Sequence, residues 1–510
     1  MEFLALIAAG MVGRFCSHLG GLSAGFAWID SLCKGGHSTI ASELGPMLST
    51  NAHFHFPGSD DFTQATARWS SLNAPSVTVV VDVATENDVV ETVKYANAHN
   101  APFLTYNTGH GSISSLKAVQ GGMLIRLTQL NSVSIAGDGD TATFGGGVRS
   151  KQVTDALWAK GKQTLTGICE CVSMLGPGLG GGHGILQGRH GLIADQFVSL
   201  KMVLADGSLA TIHQKSDLWW AMKGAGHNFG IVTSVTSKIY DIQKDGQWSY
   251  QSFIFTHDKV EGVYQAINDN LLKDGTQPVD LIHFSLFLNK PEVDSDHAVI
   301  LLFIFQEGVE AIEAKYADSF SRVDPIVTTS GKGTHKDISR WVGNTNDSPA
   351  CQKVGLANTF FSLYLQKYNT TAQRAAFDLF SRVTRENPAF NKSVALFQGY
   401  TVQGVQAIPS ESTAFPYRDA NLLISVITGY EPAGAKRDAE AHAYGERMRQ
   451  IWFEGGGQEK IKVYVNSAFG AEDPQSWYGY EPWRLERLRK LKDKYDPDRR
   501  FNFYAPFTKD

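Results

Sequence analysis

The nine positions 176–184 read GPGLGGGHG, and six of them are glycine. Each glycine costs a helix interior about 1 kcal/mol relative to alanine, so this stretch is too glycine-rich to propagate a helix. It also lacks the serine of a flexible linker, which leaves backbone packed tightly against itself or against a ligand. Directly upstream, residues 166–175 read TGICECVSML, so Cys169 and Cys171 stand beside the most permissive backbone in the chain. A second glycine loop, TYNTGHGS at 105–112, places His110 between two glycines. Two such loops can wrap a diphosphate with backbone N–H groups, without lysine or metal. Taken singly, His110 reads as an ordinary loop histidine and the thiols as buried, inert ones.

Two other readings of the same residues stay open at this level. Gly176-x-Gly178-x-x-Gly181 matches the dinucleotide fingerprint literally, with Asp206 at about the expected distance. That fingerprint has to open a helix, which the following glycines oppose. Cys169, Cys171, His183 and His190 could also hold zinc, although the C-x-C spacing departs from the usual knuckle.

The flanking pattern is α/β at first. VTVVVDV (77–83) is a β-branched run of buried-strand type. TENDVVETVKYANAHN follows with a Thr85 cap and apolar Val89, Val90, Val93 and Ala96 at helical spacing. APFLTYNTGHG then returns to a strand that ends in the first glycine loop. A hairpin is expected over 132–145 with its turn at Asp138-Gly139-Asp140, a helix over 150–160, and a strand–turn–strand over FVSLKMVLADGSLATI. Beyond 245 the texture becomes α+β. Strands are expected at 249–256, 280–288, 298–306, 394–402 and 421–430, with helices around 309–321, 371–384 and 434–452. A helix closes the chain at EPWRLERLRKLKDKY, before RFNFYAPF.

A chain of 510 residues is long for one core, which implies more than one domain. The expected division is an N-terminal segment 1–50, a first domain 51–245, a second 246–460, and a return to the first over 461–510. A net charge of −5 with dispersed basic residues argues against nucleic acid as a partner. No feature points to a protein partner. Five cysteines cannot all pair internally and make no disulfide scaffold. The apolar run 3–13 has signal-peptide length without a basic leader, and Asn346, Asn369 and Asn391 begin glycosylation sequons. These features fit secretion, or a packed or membrane-associated N-terminal helix, and localisation stays undecided between them.

Seven pieces occur together in one order: ARWSSLNAPSVTVVVDVATENDVVETVKYANAHN, the GH of TYNTGHGS, GICECVSMLGPGLGGGHG, GLIADQFVSLKMVLADGS, DLWWAMKGAGHNFGIVTS, AFPYRDANLL and WYGYEPWRLERLRKLKDKYDPDRRFNFY. In that order the chain resembles the berberine-bridge-enzyme-like flavoproteins, within the p-cresol methylhydroxylase/vanillyl-alcohol oxidase fold, over roughly residues 55–508. The resemblance implies a two-domain α+β architecture: an FAD-binding domain plus an antiparallel-sheet substrate domain covered by helices. It also implies FAD attached through His110 and through Cys169, which lies eleven residues before the GGG of 180–182; Cys171 fits that register less well. Around the cofactor it implies Asn107, Thr108, Gly109, Gly111 and Ser112, then Val172, Ser173, Gly176, Gly180, Gly181, Gly182 and His183. Ile231 and Val232 would contact the adenosine half, and Asn502 and Tyr504 would lie near the ring. Val172 takes the position that gates oxygen in relatives, where a β-branched residue accompanies oxidase behaviour.

The chain departs from that pattern at several places. Ser173 replaces a usual glycine, and TGHGS lacks the more frequent arginine and double glycine. The YxNY motif, which carries a base in relatives, reads Tyr464-Val465-Asn466-Ser467 here. An acidic base used by some members would fall near Ile424. A proton acceptor must therefore come from elsewhere, with Tyr417 and Tyr464 first, then Tyr400 and His283. The functional expectation is an FAD-dependent oxidase of a small natural product, with O2 as second substrate. The alternatives are a flavin-containing cyclase that preorganises a reactive polyene, and a non-catalytic flavin- or carbohydrate-binding protein.

Overall fold

A computed structural model describes residues 39–507; the apolar run 3–13, Cys16 and Cys33 lie outside them. The first sheet has four strands, β1 (His53–His55), β2 (Val77–Asp82), β3 (Phe103–Tyr106) and β4 (Gly122–Arg126), in the order β1-β2-β4-β3. β4 runs parallel to β2 and β3. Five of the six residues of β2 are buried, which explains why VTVVVD reads as an unbroken apolar run. Helix α1 (Glu86–Ala98) crosses between β2 and β3. Its first turn is a capping box in which Thr85 Oγ1 accepts from the Asp88 amide and the Asp88 carboxylate accepts from the Thr85 amide. The loop 107–112 leaves the carboxyl end of β3, where ligands settle in open parallel sheets.

The second sheet is antiparallel and has five strands: β5 (Val133–Ile135), β6 (Thr141–Gly145), β7 (Phe197–Val203), β8 (Leu209–His213) and β9 (Ile231–Lys238). Their order is β5-β6-β9-β7-β8. The expected hairpin over 132–145 is β5–β6. Gly146 and Gly147 thread the chain between the two sheets. A side chain there would meet Val232 O at 2.3 Å and Leu127 O at 1.9 Å. Asp206 turns the β7–β8 hairpin, its Oδ1 accepting from the Ser208 amide at 2.8 Å.

The third sheet has seven antiparallel strands: β10 (Gln247–Phe255), β11 (Leu281–Leu288), β12 (Val299–Glu307), β13 (Val327–Thr334), β14 (Ala357–Leu365), β15 (Val394–Gly399) and β16 (Leu422–Tyr430). Their order is β13-β10-β12-β11-β15-β16-β14. Phe253, Leu302, Ile304, Phe361, Phe397, Ile424 and Val426 face one way and pack under α2 (Val260–Asn270), α3 (Thr370–Glu386) and α4 (Ala435–Gly456). The alternate residues, among them Phe284, Phe303, Tyr364, Tyr400 and Leu423, face the first domain. The sequence reading passed over β13 and β14. The segment VTTSGKGT of β13 is a mostly exposed edge and carries no apolar period.

Helix α5 (Pro482–Tyr495) returns to the first domain, where Lys492 Nζ donates to Asn228 O at 2.7 Å and Phe501 O at 2.9 Å. Among the ion pairs that join the halves, Lys336 meets Asp155 at 2.6 Å near the surface, and two others are more buried. Arg189 meets Glu307, and Arg418 grips Asp195 with two bonds of 2.9 Å. Among the described residues no helix is long and apolar enough to cross a membrane.

Candidate cofactor and active site

The two glycine loops meet. Thr108 Oγ1 accepts from the Ser173 amide at 3.3 Å and contacts His110 Nδ1 at 3.2 Å. Gly109 adopts φ +68°, and any side chain on it would strike the Tyr106 ring at 2.7 Å. The carbonyls of this loop are used: Gly109 O accepts from the Trp69 amide at 3.0 Å and Gly111 O from Arg68 at 2.7 Å. Its amides, from Asn107 to Ile113, donate to no acceptor among the described residues. Seven N–H groups in one loop without partners form a cradle for an anion. Buried Ser112 closes the loop. The Asn107 side chain also braces the scaffold, its Nδ2 donating to Gly146 O at 3.1 Å.

Positive side chains surround this cradle. Lys353 Nζ donates to Tyr106 Oη at 2.7 Å, and its pKa is pulled down to about 8 by burial and then by Arg68, Arg126 and Arg149. Such crowding of like charge fits a diphosphate that neutralises it. Burial also lowers His110 to about 4, with Lys353 and Arg68 acting in the same direction. The imidazole is thus neutral at physiological pH and keeps a lone pair on the ring. Its Nε2 lies 3.5 Å from Cys171 Sγ.

The two cysteines part company. Cys171 is bonded to Cys351, 180 residues away, and Cys169 is free. The sequence names no pair among its five cysteines, because the partner sits in a loop that only the fold brings close. With Cys171 engaged, Cys169 alone remains a thiol here, and burial pushes it up to about 11. The zinc set is not assembled: Cys171 is bridged, His183 bonds Gln187 and Tyr364, and His190 stacks on Tyr240 with ring centres 3.6 Å apart.

Between these cysteines and the glycines, Val172 O accepts from the Ser150 amide at 2.8 Å and Ser173 Oγ from the Gly176 amide at 3.1 Å. Serine at 173 therefore caps a local turn in place of the usual glycine. Helix formation stops after one turn, Leu175–Leu179. No strand leads into that turn, so the dinucleotide-fingerprint reading fails. Gly180, Gly181 and Gly182 then lie flat against Asn466, Phe415 and Ile193; a side chain at each would approach to 2.2, 2.5 and 2.8 Å. Gly176 O accepts from His227 Nε2 at 3.0 Å, and the His227 ring tilts on Tyr504 at 4.7 Å. Tyr504 also covers Gly111, and partly buried Asn502 lies two residues before it. Ile231 and Val232 open β9 and are both buried.

His183 is the hub of an aromatic cage. Tyr400 stacks on it with centres 5.5 Å apart, and Tyr464, Tyr364 and Phe415 enclose it. Its Nε2 bonds Tyr364 Oη at 2.8 Å and its Nδ1 bonds Gln187 at 2.8 Å. The two leading tyrosines have opposite surroundings. Tyr464 Oη accepts from Asn466 Nδ2 at 2.7 Å and from the His183 amide at 3.4 Å. Burial pushes Tyr464 up to about 12, while those donors and the Gly182 amide pull it down. Tyr417 Oη instead donates to the carbonyls of Ser476 and Gln475 at 2.8 and 3.1 Å, and its ring lines a solvent-open groove of about 720 Å³. Tyr400 Oη accepts from Gln398 at 2.9 Å. His283 points to the helix side, bonded to Gln277 and Tyr368. Ile424 also faces the helices, so the residues of that strand nearest it that face the first domain are Leu423 and Ser425, neither of them a base.

Loop amides without partners, a cationic surround, flat glycines and an aromatic cage together suit a flavin nucleotide. Residues 77–213 match the FAD binding domain family. The FAD-linked oxidoreductase chyH of Penicillium rubens is 50% identical over 467 residues, 91% of this chain and 93% of that one. The FAD-linked oxidoreductase chry5 of Gibberella zeae is 48% identical over 477 residues, covering 91% and 94%. Among solved structures, BBE-like 1 of Physcomitrella patens aligns with a TM-score of 0.76 at 19% identity over 92% of this chain and all of that one. A xylooligosaccharide oxidase from Myceliophthora thermophila aligns with a TM-score of 0.77 at 18% identity, covering 92% and 99%. The chain belongs to the FAD-linked oxidoreductases, with the two-domain α+β fold of the berberine-bridge-enzyme-like flavoproteins.

Proposed function

We propose that this oxidoreductase is an oxidase of a small, largely apolar natural product, with its FAD held covalently by His110 and Cys169. FAD, when bound, supplies a hydride acceptor that returns its electrons to O2, giving H2O2. The observation that carries the reading is a neutral His110 among the partnerless amides of 107–113, with Cys171 Sγ 3.5 Å from its Nε2 and the free Cys169 two residues before that sulfur. His110 offers an imidazole lone pair and Cys169 a sulfur that gives up its proton on bonding. Two anchors of this kind hold a ring in register with the cage and withdraw electron density from it. Tyr464 is our candidate to take a substrate proton, because three donors aim at its oxygen and offset part of the upward shift that burial imposes. Tyr400, Tyr364 and Phe415 exclude water and accept an apolar substrate by packing.

The test is acid precipitation of the purified chain with intact mass measurement. Flavin colour should stay in the pellet with the mass of FAD added, weaken in His110→Ala and in Cys169→Ala, and vanish in the double variant. Release of all colour to the supernatant would overturn double attachment. The aromatic cage also suits a cyclase that preorganises an already oxidised precursor. Product formation without O2 uptake would favour that reading.

A further inference from the structure

We infer that His257, Asp294 and His297 form a binding site for a divalent ion of the zinc, nickel or cobalt class. His257 follows β10, and Asp294 and His297 lie in the connection from β11 to β12. One ligand atom from each lies within 4.8 Å of the other two. His257 Nδ1 is 3.7 Å from Asp294 Oδ2, and His297 Nδ1 is 3.5 Å from Asp294 Oδ1. Bonds of 2.0–2.1 Å set neighbouring ligands of a tetrahedral ion roughly 3.3 Å apart; each histidine nitrogen stands near that spacing from one of the two Asp294 oxygens, and the remaining edges, within 4.8 Å, have further to close.

Two further features fit an ion better than plain ion pairing. His257 Nδ1 is shielded from solvent and has no hydrogen-bond partner, a condition native structures rarely leave unexplained. Asp294 is oriented from behind, its Oδ1 accepting the amides of Asp296 and His297 at 2.9 Å each, as outer-shell bonds orient metal-bound carboxylates. Imidazole with carboxylate selects borderline ions over magnesium or calcium.

The site lies at the hairpin end of β11 and β12, opposite the end where Glu307 meets Arg189 of the FAD domain. It therefore takes no part in flavin chemistry. A bound ion would staple the exit of β10 to the β11–β12 connection, with at least one position left for water.

The test uses the flavin-loaded full chain, stripped with chelator and titrated with Co2+. The expected result is one equivalent bound per chain with a visible ligand-field band, displaced by Zn2+, and a Tm that rises with Zn2+ concentration. His257→Gln and His297→Gln should each weaken binding by roughly tenfold or more. Asp294→Asn, which still accepts both amides, should do the same while leaving the flavin spectrum intact. Absence of saturable Co2+ binding would overturn the proposal. Equal binding by a folded His257→Gln/His297→Gln variant would overturn it too, since other surface histidines would then hold the ion.

Discussion

Arg418 and Asp195 are 4% and 9% exposed and face each other across the seam between the two domains. Arg418 Nη1 and Nη2 each donate to a carboxylate oxygen at 2.9 Å, and Nη2 also donates to Thr413 Oγ1 at 2.9 Å. Asp195 Oδ2 accepts in addition from the Leu192 amide at 2.8 Å. Replacing Arg418 with Met leaves the carboxylate buried with that amide as its main support. Two bonds to charged groups at about 1.5–3 kcal/mol each put the loss at about 3–6 kcal/mol, in line with the 3–5 kcal/mol expected when one partner of a buried pair is removed. Asp195→Leu should cost a similar amount by stranding the guanidinium. The double variant Arg418→Met/Asp195→Leu should recover most of the loss, since no buried charge remains. Ile193 and Ala194 donate to Gly182 O and Gly181 O at 2.9 Å each, so the single variants should also loosen the flavin's glycine wall. Equilibrium urea unfolding followed by tryptophan fluorescence gives the stabilities, and flavin absorbance gives cofactor occupancy. Single-variant losses below about 1 kcal/mol, or a double variant equal to the sum of the singles, would refute the reasoning.

The remaining predictions concern catalysis and acid. Tyr464→Phe should lower kcat by about 10²–10⁴ with the flavin retained, as expected for loss of a general base. Tyr417→Phe should leave kcat near wild type and cost about 0.5–1.5 kcal/mol in stability, the net worth of its hydrogen bonding, since the carbonyls of Gln475 and Ser476 keep their bonds from the Gly479 and Val463 amides; anaerobic flavin-reduction rates and denaturant melts separate the two. Burial lowers His183, His227 and His335 to about 4 and His283 to about 3. Between their ordinary value near 6.5 and those values the unfolded chain binds protons that the folded chain refuses. Stability should therefore be fully present above pH 6.5 and fall as pH drops towards 4, each such group contributing up to about 1.4 kcal/mol per pH unit. Urea midpoints that stay constant from pH 7 to 5 would contradict this.

What could be read ahead of the fold was local. The β-branched run of β2, the Thr85 cap and the Asp206-Gly207 turn each encode their geometry within a few residues, and the structure realises all three. Glycines crowded at 180–182 also announced a close approach, because a side chain there has nowhere to go. What escaped was set by partners distant in the chain. Cys171 meets Cys351 across 180 residues. Tyr417 spends its hydroxyl on carbonyls 58 and 59 residues onward. His183, counted among the cofactor contacts, is the centre of a cage assembled from β14, β15 and the 415 and 464 segments. A tyrosine's role depends on whether donors or acceptors face its oxygen, and residue type alone does not carry that information.

The bridge beside His110 bears on chemoselectivity. A thiol tied up as Cys171–Cys351 behaves as a synthetic chemist's protecting group, removing one of two near-equivalent nucleophiles from the cradle. If flavin is attached through sulfur as proposed, an electrophile there would meet a single thiol once the bridge has formed. Folding under reducing conditions would expose both sulfurs at once, and the proposed attachment would then give a mixture.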